Sequence, residues 1–323
     1  MNEMNVGYKT ETDLLKEEKI AVLEDKSNNS TKYVVWHIEG GLGKNIAATS
    51  LISAVKQKYK DRKLILVVSY PEVFLNHPDI HRVYRVGMVS YFYDDYIKDK
   101  DTIIFKHEPY FQSAHITKKK HLIENWCDLL DVKYEKQQPI LYPNMIQKDI
   151  IFNWKRDRPT MILHTNGGLL QQNTLYSWTR DMPYGIAQAI VEKYSNKYHI
   201  IQIGRDPGHA IPGTEFVNAP MTNHELFSIL VLSDKRVLID SSLQHAAAAM
   251  NLKSTVLWIG TIPKNFGYDL HSNVVAKPPK GNVKMIDSYI FDYSFEGIAH
   301  ECPYMDANEM FDINDIFKSI DKQ

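Results

Sequence analysis

Twice along this chain an apolar run ends in a glycine-bearing turn, and a helical pattern follows. Residues 33–38 (Tyr33-Val34-Val35-Trp36-His37-Ile38) enter Glu39-Gly40-Gly41-Leu42-Gly43, and residues 160–164 enter Thr165-Asn166-Gly167-Gly168. Runs that are apolar throughout, rather than alternating with polar residues, belong to strands covered on both faces, which implies a parallel sheet. Parallel neighbours need long crossover connections, and the residues between these runs carry helical periodicity. The pattern predicts an α/β protein built from doubly wound units.

In the first half, strands are expected at 33–38, 64–69, 82–86 and 102–105, with helices at 45–59 and 121–130 and a helix or turn at 71–75. A polar stretch with prolines and asparagines at 140–158 reads as a linker. After it, strands are expected at 160–164, 199–204, 236–240 and 255–260, with helices at 182–194, 223–232 and 313–320. Thr222 or Asn223 is the expected cap of the second of these helices. The division is an N-terminal extension and linker at 1–31, a Rossmann-like domain at 32–145, a second at 155–295, and a helical tail at 296–323. The tail is expected to pack back on the first domain.

At 323 residues the chain is long enough for two domains with substantial cores. A net charge of −1 provides no global basic field for non-specific nucleic-acid binding. The two cysteines, Cys127 and Cys302, are far apart, which argues against a disulfide framework or a structural zinc site. No run approaches the roughly 20 apolar residues of a spanning helix. Residues 1–32 lack a signal-like apolar core, so a cytoplasmic location is expected.

The chemistry concentrates at Asp240-Ser241-Ser242-Leu243-Gln244-His245, where a buried strand turns into a helix of small residues. Unpaired N–H groups at a helix start, with two hydroxyls and an imidazole beside them, suit the phosphates of a nucleotide. The plainer alternative makes Asp240 and Ser241 a helix cap and His245 a core residue. Gly43-Lys44 is not a phosphate-binding P-loop, because Asn45 stands where a hydroxyl is needed and Ile38 where the first glycine is needed. Gly41-Leu42-Gly43 lacks the third glycine of a dinucleotide fingerprint, Ile46 occupying its place, which disfavours an NAD-type oxidoreductase.

Three stretches, in order, resemble family 9 of the GT-B glycosyltransferases, the heptosyltransferase group. They are Gly40-Gly41-Leu42-Gly43 with the helix that follows, the region from Leu64 through Pro71-Glu72-Val73 to His77-Pro78-Asp79-Ile80, and Asp240-Ser241-Ser242-Leu243-Gln244-His245-Ala246-Ala247-Ala248. His164-Thr165-Asn166-Gly167-Gly168 and Ser177-Trp178 are similar to the opening of that family's second domain. The resemblance implies a GT-B fold, two Rossmann-like doubly wound domains facing across a cleft. It also implies a nucleotide-sugar donor, an inverting and metal-independent transfer to a glycan, and no cofactor or obligate protein partner. A modified base in DNA is the alternative acceptor, and a catalytically silent nucleotide-sugar-binding module is the alternative in kind.

Carried over residue by residue, Thr165, Asn166, Gly167, Ser241, Ser242 and His245 wrap the diphosphate, with Gly41 and Gly43 of the first-domain loop also binding the donor phosphates. Arg180 supplies the positive charge missing at Tyr176, where the family has lysine. Arg205 and Asp206 fall at the turn expected to meet the nucleoside. The family's acidic residue after the first loop is Lys44 here, and its middle glycine in the later motif is Ser242. Glu39 is then the nearest carboxylate to serve as general base, with Lys44 ion-pairing it or binding an anion. Asp240 would orient His245 or bind acceptor hydroxyls. Asp94, Asp95, His107 and Glu108 are secondary base candidates. Asp99-Lys100-Asp101 reads as a solvated turn, and Lys118-Lys119-Lys120 with His115 and His121 as a small basic patch, either solvated or facing an anionic acceptor.

Overall fold

The computed structural model describes residues 31–142, 156–167, 177–205, 207–217, 221–280 and 302–323. The first domain holds a four-stranded parallel sheet in the order β3-β2-β1-β4, made of β1 (Lys32–Ile38), β2 (Lys63–Val68), β3 (Arg82–Arg85) and β4 (Asp101–Phe105). The second holds six parallel strands in the order β10-β9-β8-β5-β6-β7. These are β5 (Thr160–His164), β6 (His199–Ile203), β7 (Glu215–Phe216), β8 (Lys235–Ile239), β9 (Thr255–Trp258) and β10 (Ser272–Val275). β7 and β10, both short, were not legible as strands.

Successive strand residues point to opposite faces, and the buried side chains divide accordingly. Val34, Trp36 and Ile38 of β1 face α1 (Leu42–Ala48), α2 (Ile52–Lys58) and α3 (Leu122–Leu130), while Tyr33 and Val35 face a smaller cluster with Tyr96. In the second sheet, Met161, Leu163, Val237 and Ile239 pack under α4 (Tyr184–Tyr194). Ile162, Leu238 and Val256 pack under α5 (Asn223–Leu232) and α6 (Ser242–Ala249). Thr222 caps α5 in a reciprocal capping box with Glu225.

The helix expected over 45–59 is divided. Thr49 Oγ1 donates to Ile46 O at 2.6 Å and Ser50 Oγ to Ala47 O at 2.7 Å, and a 3₁₀ turn at Thr49–Leu51 separates α1 from α2. Hydroxyls that bond back to the preceding turn compete with the helical ladder and bend it. The tail also departs from expectation. α7 (Ile313–Asp321) packs on the second sheet, not on the first domain. Ile316 and Ile320 join the core beneath α4, and Ser319 Oγ lies 2.7 Å from Thr255 Oγ1. The apolar stripe of α7 covers a sheet face that α4 alone leaves open.

The two domains share one hydrophobic cluster, because α1 packs directly against α6. The contact is closest at Gly43. A β-carbon there would lie 2.9 Å from His245 Cδ2 and 3.3 Å from Ser242 Cα, distances that only glycine permits without displacement. Polar clasps flank this contact. Asn223 Nδ2 donates to Glu72 Oε1 at 2.7 Å, Asn265 Nδ2 donates to Lys120 O at 2.7 Å, and His121 Nε2 lies 3.0 Å from Gly267 O.

Gly43→Ala is expected to destabilise the chain by about 1–2 kcal/mol, the overpacking penalty outweighing the gain in helix propensity. Thermal unfolding checks this, and an unchanged or raised midpoint would show that the α1–α6 contact is looser than described.

Candidate active site

In the second sheet the chain leaves β5 toward β6 on one side and resumes on the other side at β8. Open α/β sheets bind ligands at such a switch point, outside the carboxyl ends of the strands. The loop after β5 (Thr165-Asn166-Gly167) and the loop after β8 (Asp240-Ser241-Ser242) meet there. A β-carbon on Gly167 would lie 3.1 Å from Ser241 Cβ, so the absence of a side chain lets the loops close on one another. Ser241 is the N-cap of α6. Its Oγ accepts from Leu243 N–H at 3.3 Å and lies 3.1 Å from His164 Nδ1. Ser241 and Ser242 are both half-buried. Arg180 is exposed on the segment whose Thr179 carbonyl accepts from Gly260 N–H at 2.8 Å. Its charge acts on Asp240 and on the first domain's Tyr110.

Other residues expected at the donor site are occupied inside the fold. His245 is buried between the domains, with Nδ1 2.7 Å from Tyr268 Oη, and burial pushes its pKa down to about 3. The ring is neutral and brings no charge to a phosphate. Asp240 does not orient it: the carboxylate accepts from Thr261 Oγ1 at 2.5 Å, and burial raises its pKa. The hydroxyl of Thr165 accepts from Gln202 Nε2 at 3.0 Å and donates to Asn166 Oδ1 at 3.0 Å, within the second domain. Arg205 forms an ion pair with the buried Asp181. Burial raises the Asp181 pKa, and the Ser177 amide and Arg205 oppose that shift. Sequence reading missed Asp181, since a lone aspartate gives no local sign of its distant arginine. Asp206 lies outside the described residues, as do Gly168 and Tyr176.

The first sheet has its own switch point, between β1 and β4. Gly40 follows β1 at φ 107°, a left-handed conformation suited to glycine, and its N–H donates to Ser69 Oγ at 3.2 Å. Gly41 is exposed at the start of α1. Lys44 does not pair with Glu39. Its side chain is 4% exposed and its ammonium is bonded to Glu108, beyond β4. The ammonium lies 5.1 Å from the Tyr110 ring centroid and 5.8 Å from that of Trp126. Burial lowers the Lys44 pKa, and the Glu108 hydrogen bond opposes this. Glu39 is 42% exposed and held at the rim, with Lys106 Nζ at 2.8 Å and His37 Nε2 at 3.1 Å. The Lys106 hydrogen bond lowers its pKa.

The secondary candidates divide in the same way. Asp94 and Asp95 belong to a short helix whose neighbours Phe92 and Tyr96 pack on the sheet face away from α1. His107 stacks on Phe105 with ring centroids 5.2 Å apart, and burial lowers its pKa. Asp101 pairs with Arg62 at 2.9 Å, and Asp99 sits in a turn. The basic patch is partly paired, and Lys119 within it is exposed. Lys120 pairs with Asp128 at 2.6 Å and Glu124 at 3.5 Å, Lys118 Nζ lies 3.5 Å from Gly260 O, and His115 is buried against Tyr110 and Phe266. Among the described residues, no three His, Cys, Asp or Glu side chains converge as metal ligands would.

Two facing parallel α/β domains with a loop-lined switch point in each define the GT-B fold of glycosyltransferases. Solved structures bear this out. A glycosyl transferase of family 9 from Veillonella parvula is 12% identical and superposes with a TM-score of 0.62 over 91% of this chain and 97% of its own. The E. coli ADP-heptose LPS heptosyltransferase II is 10% identical, with a TM-score of 0.60 over 90% of this chain and 99% of its own. E. coli heptosyltransferase WaaC with ADP is 12% identical, with a TM-score of 0.51 over 76% of this chain and 93% of its own. No protein-family model matches the sequence, and no curated protein matches it.

Five histidines shielded from water generate a pH dependence. Burial pushes His115, His121, His164 and His271 down to about 4, and His245 to about 3, from an ordinary value of 6.5. Below pH 6.5 the unfolded chain therefore binds more protons than the folded one, and stability falls as pH falls toward 4. Asp181 and Asp240, with raised pKa values, oppose this but are outnumbered. A melting temperature measured across this range should drop steadily on acidification; a flat profile from pH 7 to 4.5 would contradict the neutral-histidine seam.

Proposed function

We propose that this chain is a glycosyltransferase that moves a sugar from a nucleoside-diphosphate sugar to an acceptor hydroxyl, by a single inverting displacement that needs no metal. The observation that supports this reading is the meeting of Gly167, Ser241 and Ser242 at the second sheet's switch point, with the Arg180 charge acting on the adjoining Asp240 and the first sheet's switch-point loops held opposite by the α1–α6 contact. The glycan acceptor and the absence of a cofactor follow from the resemblance to family 9.

The roles divide by domain. N–H groups at the start of α6 and the Ser242 hydroxyl receive charge on the departing diphosphate, and the Arg180 guanidinium adds the positive potential that a metal supplies elsewhere. A cavity of about 360 Å³ beside the β5 exit, lined by Asn166, Met182, Tyr184, His209 and Ile211 among others, is large enough and apolar enough for a nucleoside. The acceptor approaches from the first domain, where a carboxylate takes its proton. Attack from the side opposite the leaving group inverts the anomeric carbon. ADP is the first nucleotide to try, because proteins of similar fold are described with ADP or as ADP-heptose enzymes.

Thermal unfolding with ADP, UDP, GDP and CDP tests this. One of them at 100 times its Kd should stabilise the chain by about 2.7 kcal/mol, and Arg180→Ala should weaken that nucleotide roughly tenfold to a hundredfold. Protection by none of the four would sink the reading.

A further inference from the structure

Lys44 has almost no contact with solvent, and burial of an unpaired ammonium is strongly unfavourable. Its position is therefore explained by its partner. Glu108 follows β4, the strand next to β1, so it stands at the first sheet's switch point. One carboxylate oxygen holds Lys44, and the other accepts from Tyr110 N–H at 3.3 Å. The side chain is still 30% exposed, and each carboxylate oxygen has a second lone pair. The loop after β1 closes over the lysine stem: a β-carbon on Gly40 would lie 3.0 Å from Lys44 Cδ. Tyr110, next to this carboxylate, is half-buried, packs edge-on against Phe266 of the second domain with ring centroids 6.5 Å apart, and feels the charges of Arg180 and Asp240. Glu108 is thus immobilised, partly open and linked through one residue to the donor side. Glu39 instead is held at the rim by the exposed Lys106.

We propose that Glu108 is the catalytic base for the acceptor hydroxyl and that Lys44 is its positioning residue, an assignment that rests on the glycosyltransferase reading above. Glu108 takes the hydroxyl proton as the acceptor oxygen bonds to the anomeric carbon. The bond from that carbon to the diphosphate oxygen breaks, and its electron pair leaves with the nucleoside diphosphate. Lys44 keeps its protons throughout and holds the carboxylate in place, so its removal acts through Glu108.

The test uses the full chain, with ADP-heptose as donor and water as acceptor, and reads ADP release. ADP binding is measured by thermal shift on the same variants, so that donor recognition and proton removal are scored separately. Glu108→Gln is expected to bind ADP as the wild type does and to lose roughly a hundredfold to ten-thousandfold in turnover. Formate should restore part of the activity of Glu108→Ala, which a purely structural glutamate would not allow. Lys44→Met should lower kcat with little change in donor KM, and Lys44→Arg should recover part of the loss. Turnover of Glu108→Gln within a few-fold of wild type, or a larger loss in Glu39→Gln, overturns the assignment.

Discussion

The approach of α1 to α6 at Gly43 is the contact on which the rest of the arrangement depends. Each sheet has a switch point fixed by its own strand order, but a switch point alone is half a site. Packing the two helices together sets the loops after β1 and β4 opposite the loops after β5 and β8. The small residues of α6, Ala246 to Ala248, and Gly43 on α1 let the helices come this close. Clasps such as Asn223 to Glu72 and Asn265 to the Lys120 carbonyl then restrict sliding along the seam.

The polar interior of the molecule follows from that packing. Residues that meet water in an isolated domain become buried when the two are joined, and each must then find a partner or lose its charge. His245 and His121 do the latter; Lys44 keeps a carboxylate partner. Within the second domain, Arg205 and Asp181 solve the same problem by pairing. A buried ion pair is weak evidence of stability, because desolvation offsets much of the attraction. Lys44–Glu108 therefore makes more sense as orientation than as a stabilising device, whereas Arg205–Asp181 ties the loop after β6 to the segment carrying Arg180.

Much of the fold was legible because strand and helix periods are local properties. The apolar run at Val34 to Ile38 and a cap at Thr222 or Asn223 both declare themselves within a few residues, and the structure settles on Thr222. The division at Thr49 was harder to see, since it turns on which hydroxyls bond back to the helix. The site was less legible. Ser241 and Ser242 were read as loop-to-helix residues and stand there, half-buried at the switch point. His245, one turn further on, carries the same kind of polar signal but is turned into the seam. Sequence spacing put Glu39 nearest to Lys44, yet β4 lies beside β1 and delivers Glu108 to the ammonium from 64 residues away.

By itself, the sequence determined that this is a parallel α/β chain with two glycine-turn units and a hydroxyl-rich helix start. Hydrophobic period, turn chemistry and capping act over a few residues and can be read along the chain. Only the tertiary structure decided which charges face the cleft and which are neutralised or paired inside. That outcome depends on distance and desolvation between segments that strand order and helix packing bring together, and neither quantity is written in local spacing.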